Sequence, residues 1–181
     1  MITPVHSTWV FGYGSLIWRP DFPYLERQLA SIDGFARRFW QGSHDHRGTP
    51  DAPGRVVTLV HEPSGACTGM AYRLDDEIVQ STFEQLDHRE KNGYERHEVL
   101  LQFANQSEAT GLVYIAAEGN FAYAGESHPD EIAQIIAMSH GPSGANQEYL
   151  YELAAALRKL GIEDRHVFDL EVRVRKLATR D

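Results

Sequence analysis

The chain keeps its two kinds of periodicity apart, and that separation limits the folds open to it. Six short segments, at residues 9–13, 35–41, 55–61, 68–74, 94–103 and 111–116, are rich in Val, Tyr, Phe and Trp and bounded by Gly, Pro or Asp, as strands are. Helical spacing occurs at 76–90 and then takes over the last third. Residues 129–140 open on Pro129, Asp130 and Glu131 and carry Ile132, Ile135 and Ile136. Residues 146–160 repeat Leu150, Leu153, Leu157 and Leu160 and stop at Gly161, and 162–177 form a charged helical tail. Strands first and helices last predict an α+β fold on a mostly antiparallel sheet. Strands this short and closely spaced allow the sheet to curl into a small β-barrel with flanking helices. With 181 residues, 42% of them hydrophobic, a single domain over 1–181 can bury one sizeable core. That core is expected within 9–160, with the tail at 161–181.

Composition excludes several functions. A formal net charge of −9 lacks the basic footprint that nucleic-acid binding requires. Cys67 is the only cysteine, so no intrachain disulfide can form and a reducing compartment fits. Residues 1–8 show no basic region ahead of an apolar run, and no stretch reaches the roughly 18 apolar residues of a membrane span. The expectation is a cytoplasmic protein with neither membrane nor nucleic acid among its partners.

One segment has the chemistry of a ligand cradle. Phe11-Gly12-Tyr13-Gly14-Ser15-Leu16-Ile17-Trp18 runs from an apolar strand into a turn punctuated by two glycines. Gly12 and Gly14 suit a bend with positive φ and leave room for a ligand. Such a turn can aim several N–H groups at one anionic spot, though an unliganded strand–turn has the same signature. No Lys-Ser/Thr follows, so it is not a Walker loop, and the third glycine of a dinucleotide fingerprint is missing. Gly14-Ser15-Leu16 also lacks the frame of a nucleophile elbow.

A second signal lies at the end of the first long helical segment. Val79, Phe83 and Leu86 follow one another at steps of four and three, forming a core-facing stripe whose next position is Glu90. A carboxylate there is costly unless paired or neutral. Desolvation and the negative end of the helix dipole both raise its pKa toward the range of general acid–base chemistry. The position equally suits a Glu tipped outward and paired with Arg89, Lys91 or Arg96. Glu84 and Asp87 fall on the solvated side.

Other candidates carry less. His44-Asp45-His46 sits in a Gly- and Pro-rich loop whose spacing matches no metal-ligand pattern, so a polar loop lining a cleft is expected and no metal. Cys67, without a basic sequence neighbour, reads as an inert buried thiol. Arg55, just after Pro53-Gly54, could meet a substrate carboxylate or simply be solvated. Tyr149 could offer its hydroxyl to a ligand or be a half-buried helix aromatic.

The motifs together resemble the ChaC-type γ-glutamylcyclotransferases, the glutathione-specific branch of the γ-glutamylcyclotransferase-like proteins. The resemblance runs from residue 9 to about 157. It is carried by the 10–18 loop, by Arg37-Arg38-Phe39-Trp40-Gln41-Gly42-Ser43 with Asp45-His46-Arg47-Gly48, and by Pro53-Gly54-Arg55-Val56-Val57-Thr58-Leu59-Val60. It continues through Leu86-Asp87, Arg89-Glu90-Lys91, Gly93-Tyr94, Gly141-Pro142-Ser143-Gly144, Asn146 and Glu148-Tyr149-Leu150. It implies the γ-glutamylcyclotransferase-like barrel fold. It also implies glutathione as substrate, cyclised to 5-oxoproline with release of Cys-Gly, without cofactor; a monomer or homodimer is expected. By the resemblance Glu90 would be the acid–base group, and Gly12, Tyr13, Gly14, Ser15, Leu16 and Ile17 would bind substrate; Arg55 and Tyr149 join them as substrate-binding candidates from their residue type and position alone. Other γ-glutamyl amines or dipeptides as substrates, or a non-catalytic regulatory role, remain alternatives. The chain departs from the family pattern at His44, usually Thr, and at Asn92, usually Gly.

Overall fold

The computed structural model describes residues 7–91 and 93–180. Five strands close into a barrel in the order β1-β3-β2-β4-β5: β1 (Thr8–Gly12), β2 (Glu26–Ser43), β3 (Gly54–Leu74), β4 (Tyr94–Phe103) and β5 (Glu108–Ala116). Neighbours are antiparallel except at the closing seam, where β1 runs parallel to β5 with Trp9 beside Gly111 and Val10 beside Leu112. At the β2–β4 seam only Ala30 with Phe103 and Ser31 with Gln102 pair.

The expected α+β barrel is present, with two corrections. The segments at 55–61 and 68–74 are one 21-residue strand, because Glu62-Pro63-Ser64-Gly65, the first three exposed, forms a bulge opposite Gly34 rather than a turn. Proline cannot donate to a ladder, so the strand bulges there and then resumes its pairing. The first half of β2 has no apolar strand signature because Glu26-Arg27-Gln28 is polar. Ala30 and Ile32 alternate toward the core beyond it.

Among the described residues four α-helices flank the barrel: α1 (Val79–Arg89), α2 (Pro129–Met138), α3 (Asn146–Lys159) and α4 (Arg165–Ala178). Between α2 and α3 a small hairpin pairs β6 (His140–Gly141) with β7 (Gly144–Ala145). Leu150, Leu153 and Leu157 of α3 are fully buried, as their spacing predicts. Asn146 ties α3 to the start of β3: its Oδ1 accepts from the Arg55 N–H at 2.7 Å and its Nδ2 donates to the Arg55 carbonyl at 2.8 Å.

The charged tail belongs to the core structure. Its helix α4 packs on α2 and α3 and buries Val167, Leu170 and Val174. Asp164 caps it, accepting from the Val167 N–H, and also accepts from Arg37 Nη1 at 2.7 Å. Arg37, 2% exposed, donates from Nε to the Tyr13 carbonyl and from Nη2 to that of Thr68, both at 2.6 Å. One buried guanidinium thus joins the glycine loop, β3 and the tail. His166 Nε2 accepts the Phe39 N–H at 2.9 Å, a second tie between tail and barrel. No helix of the described residues is long and apolar enough to cross a membrane.

Candidate active site

Glu90 stands immediately beyond the last residue of α1, with its N–H bonded to the Leu86 carbonyl at 2.8 Å. The stripe that points to it is real, since Phe83 and Leu86 are buried. Its side chain is 18% exposed, with Arg89 Nε 3.7 Å away. Burial raises its pKa above the ordinary carboxylate value, and the Arg89 charge opposes the rise. The carboxylate faces inward rather than tipping outward, and of the cations the sequence offered as partners Arg89 stands beside it.

Glu90 closes a small cavity of about 40 Å³ with Tyr13, Gly14, Ser15, Leu16 and Tyr149. Of the sequence candidates, Gly12, Ile17 and Arg55 do not line it. Gly12 supports the turn from below: a Cβ there would lie 2.7 Å from the Leu16 Cβ. The Ile17 N–H is engaged by the Gly14 carbonyl at 2.9 Å. Neither Gly12 nor Gly14 has positive φ, so the reason for glycine is space. At Gly14 a Cβ would meet Val57 Cγ2 at 2.9 Å and the Tyr149 hydroxyl at 3.1 Å. The Ser15 and Leu16 N–H groups bond to nothing among the described residues, which leaves two adjacent donors at the cavity wall.

Arg55 corrects the expectation of a substrate-facing cation. Its buried guanidinium donates to the Phe39 carbonyl at 3.1 Å and to Ser127 Oγ at 3.3 Å, away from Glu90. Cys67 is buried as expected; desolvation pushes its thiol up, against the lowering effect of nearby Arg37. Among the described residues no group of three His, Cys, Asp or Glu is placed to hold a metal ion. His44 faces Phe121, ring centroids 6.0 Å apart, and Asn92 lies outside the described residues.

The cavity's remaining walls come from residues that sequence reasoning did not single out. Tyr94 on β4 and Tyr114 on β5 complete a ring of four tyrosines with Tyr13 and Tyr149. Burial, together with the nearby Glu90 charge, raises all four hydroxyls, so they are neutral donors. Three donate within the protein: Tyr13 to the Tyr114 carbonyl (2.6 Å), Tyr94 to the Val57 carbonyl (2.9 Å) and Tyr114 to Asp87 (2.7 Å). Tyr149 differs. Its oxygen accepts the Val57 N–H at 3.4 Å, and its own proton has no acceptor among the described residues. A β-bulge creates this arrangement: between the pairs Arg38–Thr58 and Gln41–Val56, Phe39 and Trp40 oppose Val57 alone. Val57 is thereby released from the ladder to hold two tyrosines.

The small cavity opens into a cleft of about 310 Å³ walled by Trp18, Asp21, Ser43, Asp45, His46, Arg47, Arg89 and Ser143. Arg89 is its strut, donating from Nη2 to Ser15 Oγ at 2.9 Å and from Nη1 to the Arg19 carbonyl at 2.9 Å. Arg47, within Asp45-His46-Arg47-Gly48, carries no local mark of a site residue, and only the fold brings it to the cleft. A larger cavity of about 500 Å³ opens where β2 and β4 part, but contains neither Glu90 nor the glycine loop.

Comparison with known proteins gives this arrangement its context. A family model described as ChaC-like protein matches residues 8–177. The chain belongs to the ChaC-like protein family. This ChaC-like chain is 44% identical over 180 residues to γ-glutamylcyclotransferase 2-3 of Arabidopsis thaliana, covering 94% of this chain and 90% of that one. It is 40% identical over 171 residues to glutathione-specific γ-glutamylcyclotransferase 1 of Danio rerio, covering 91% and 87%. A crystal structure of the γ-glutamylcyclotransferase specific to glutathione from yeast superposes on the ChaC-like chain with a TM-score of 0.89 at 35% identity, over 94% of this chain and 96% of that one.

Proposed function

We propose that this protein is a γ-glutamylcyclotransferase that degrades glutathione to 5-oxoproline and Cys-Gly. The observation that carries the reading is a buried carboxyl with raised pKa facing three uncommitted donors: the Ser15 and Leu16 N–H groups and the Tyr149 hydroxyl. Membership of the ChaC-like family and the relatives named above support it.

The reaction suits a site of this composition. The substrate's α-amine attacks its own γ-carbonyl, forming a C–N bond that closes a five-membered ring and breaking the C–N bond to the cysteine nitrogen. Nucleophile and electrophile are tethered already, so holding the folded conformer is the main task, and such placement contributes on the order of 7–11 kcal/mol. The α-ammonium must first lose a proton and the departing nitrogen must gain one. Glu90 takes one proton from the attacking nitrogen and delivers one to the departing nitrogen, ending in its starting state; the second proton of the attacking nitrogen leaves to solvent, the released amine gains its second from solvent, and no water is consumed. A carboxyl with raised pKa suits this two-way traffic better than a fully solvated one. As the γ-carbonyl becomes tetrahedral its oxygen gains charge. Tyr149 supplies a hydrogen bond to that oxygen, and the Ser15 and Leu16 amides hold the oxyanion or the α-carboxylate. Ser15 is no nucleophile; its Oγ accepts from Arg89, which fixes the loop against α1. We further place the enzyme in the cytoplasm as a monomer or homodimer, its one cysteine being a buried thiol that requires no oxidising compartment.

The test is incubation with glutathione, γ-Glu-Ala and γ-Glu-ε-Lys, with 5-oxoproline detected by mass spectrometry. Turnover of glutathione well above the other two is expected. Comparable release from the others would make this a general γ-glutamyl cyclotransferase, and no 5-oxoproline from any of them would leave only a binding protein.

A further inference from the structure

The outer cleft is walled by His46 and three arginines, and one of the arginines is both buried and partly unengaged. Arg89 is occupied by Ser15, Arg19 and Asp21. The side chains of Arg19 and His46 are 58% and 53% exposed, where a charge contributes little to binding. Arg47 is 8% exposed. Its Nη1 donates to the Ala145 carbonyl and to Glu148 Oε2, both at 3.1 Å, and its guanidinium lies 5.9 Å from the centre of the Tyr149 ring. Its Nε and Nη2 have no acceptor among the described residues. No buried side-chain nitrogen or oxygen of those residues lacks a partner. The unengaged N–H groups of Arg47 are therefore the part of it that opens on the cleft.

The backbone beneath Arg47 has almost no freedom. Its N–H donates to Ser43 Oγ at 2.9 Å, and the Ser143 N–H donates to the His46 carbonyl at 2.9 Å. A Cβ on Gly48 would run into the Gly54 nitrogen, and one on Gly141 into the His46 carbonyl. The 44–48 loop is thus pressed between the start of β3 and the β6–β7 hairpin, as a recognition group needs to be.

Resting on the cyclotransferase reading, we propose that Arg47 is the specificity residue that seats the C-terminal carboxylate of the dipeptide half of the substrate. With the γ-carbonyl at Glu90, the two residues beyond it extend about 7 Å along the cleft that Glu90 and Arg47 share. They end in a carboxylate, whose two oxygens match the planar Nε–Nη2 edge of a guanidinium. Glu148, 59% exposed, holds the opposite corner through Nη1 and so orients the fork without occupying that edge. The consequence is selection for γ-glutamyl peptides with a free C-terminus at that reach, over γ-glutamyl amines that carry none.

Steady-state kinetics on glutathione and on its C-terminal glycinamide test this, with wild type, Arg47→Gln and Arg47→Lys compared. Wild type is expected to show a KM about 10- to 100-fold higher for the amide, the range of a charged hydrogen bond, with kcat within about threefold. Arg47→Gln is expected to raise KM for glutathione by a similar factor and to leave the amide nearly unchanged. Arg47→Lys, keeping the charge without the fork, should recover only part of the loss. The wild-type comparison needs no variant to fold. Equal KM values for acid and amide in wild type, or equal losses on both substrates in Arg47→Gln, overturn the assignment while leaving cyclotransferase activity standing. Absence of 5-oxoproline from both substrates with wild type overturns the activity and the assignment together.

Discussion

Replacing Glu90 by Gln removes the proposed proton carrier while keeping its size, and the site's geometry makes the consequences separable. Each proton-transfer role of a positioned acid or base contributes roughly 10²- to 10⁴-fold, and Glu90 fills two in succession. A fall in kcat of about 10³-fold or more is expected, equivalent to about 4 kcal/mol of barrier at 1.36 kcal/mol per decade. KM should change little, since the α-carboxylate, γ-carbonyl and dipeptide contacts are made by other groups. The assay is 5-oxoproline release from glutathione under saturating substrate. Stability should move the other way. The folded pKa of Glu90 lies above its ordinary value because burial disfavours the charge. Wild type therefore loses stability as pH rises from the unfolded value of about 4.5 through the folded one, whereas the amide does not titrate. Melting curves of the two proteins should coincide below pH 4.5 and separate toward pH 7, with Glu90→Gln the more stable. A variant that turns glutathione over within about tenfold of wild type would show that the proton travels by another group.

Further expectations follow from neighbouring contacts. Tyr149→Phe removes the hydroxyl of the tyrosine ring whose proton has no acceptor among the described residues and should lower kcat by about 10²- to 10³-fold, the range for one oxyanion donor, while Tyr94→Phe costs less kcat because its proton is held by Val57. Gly14→Ala places a methyl 2.9 Å from Val57 and 3.1 Å from the Tyr149 hydroxyl; it should lower kcat and cost about 1–3 kcal/mol of stability by denaturant titration. Arg37→Met leaves Asp164 and two carbonyls without their buried donor, so a loss of about 3–5 kcal/mol is expected, with activity lost at lower denaturant than in wild type. His166 is held neutral, its pKa pushed down to about 4 mainly by burial. The folded form resists protonation that the unfolded chain accepts from about pH 6.5 downward, so stability is full above that value and falls between it and pH 4. His166→Gln should flatten that part of the curve, read as the denaturation midpoint at successive pH values.

Much of the site was legible because parts of it obey local periodicity. Glu90 emerged from the spacing of Val79, Phe83 and Leu86, and the glycine loop from a turn signature bounded by apolar residues. The reason for those glycines was not legible: Gly14 is required by Val57 and Tyr149, which come from a strand and a helix far along the chain. Tyr94 and Tyr114 carry no local mark, since alternation on a strand says which residues share a face but not what that face encloses. Arg55 and Arg47 lie eight positions apart in similarly Gly- and Pro-rich surroundings, and nothing local distinguishes the arginine that bonds Phe39 and Ser127 from the one that faces the cleft.

The sequence alone determined that strands would form the first two-thirds of this protein and helices the last, that one helix would end in a carboxylate on its apolar stripe, and that a glycine turn would follow the first strand. These are consequences of side-chain period and backbone sterics, which act over a few residues. Tertiary structure decided the rest. Closing β1 against β5 and bulging β2 at Phe39 and Trp40 bring Tyr13, Tyr94, Tyr114 and Tyr149 around Glu90. Packing α4 against α2 and α3 brings Asp164 to Arg37, and through it fixes the Tyr13 carbonyl of the loop. Desolvation is a property of everything that surrounds a group at once, so the raised pKa of Glu90 and the free proton of Tyr149 exist only when the barrel is closed.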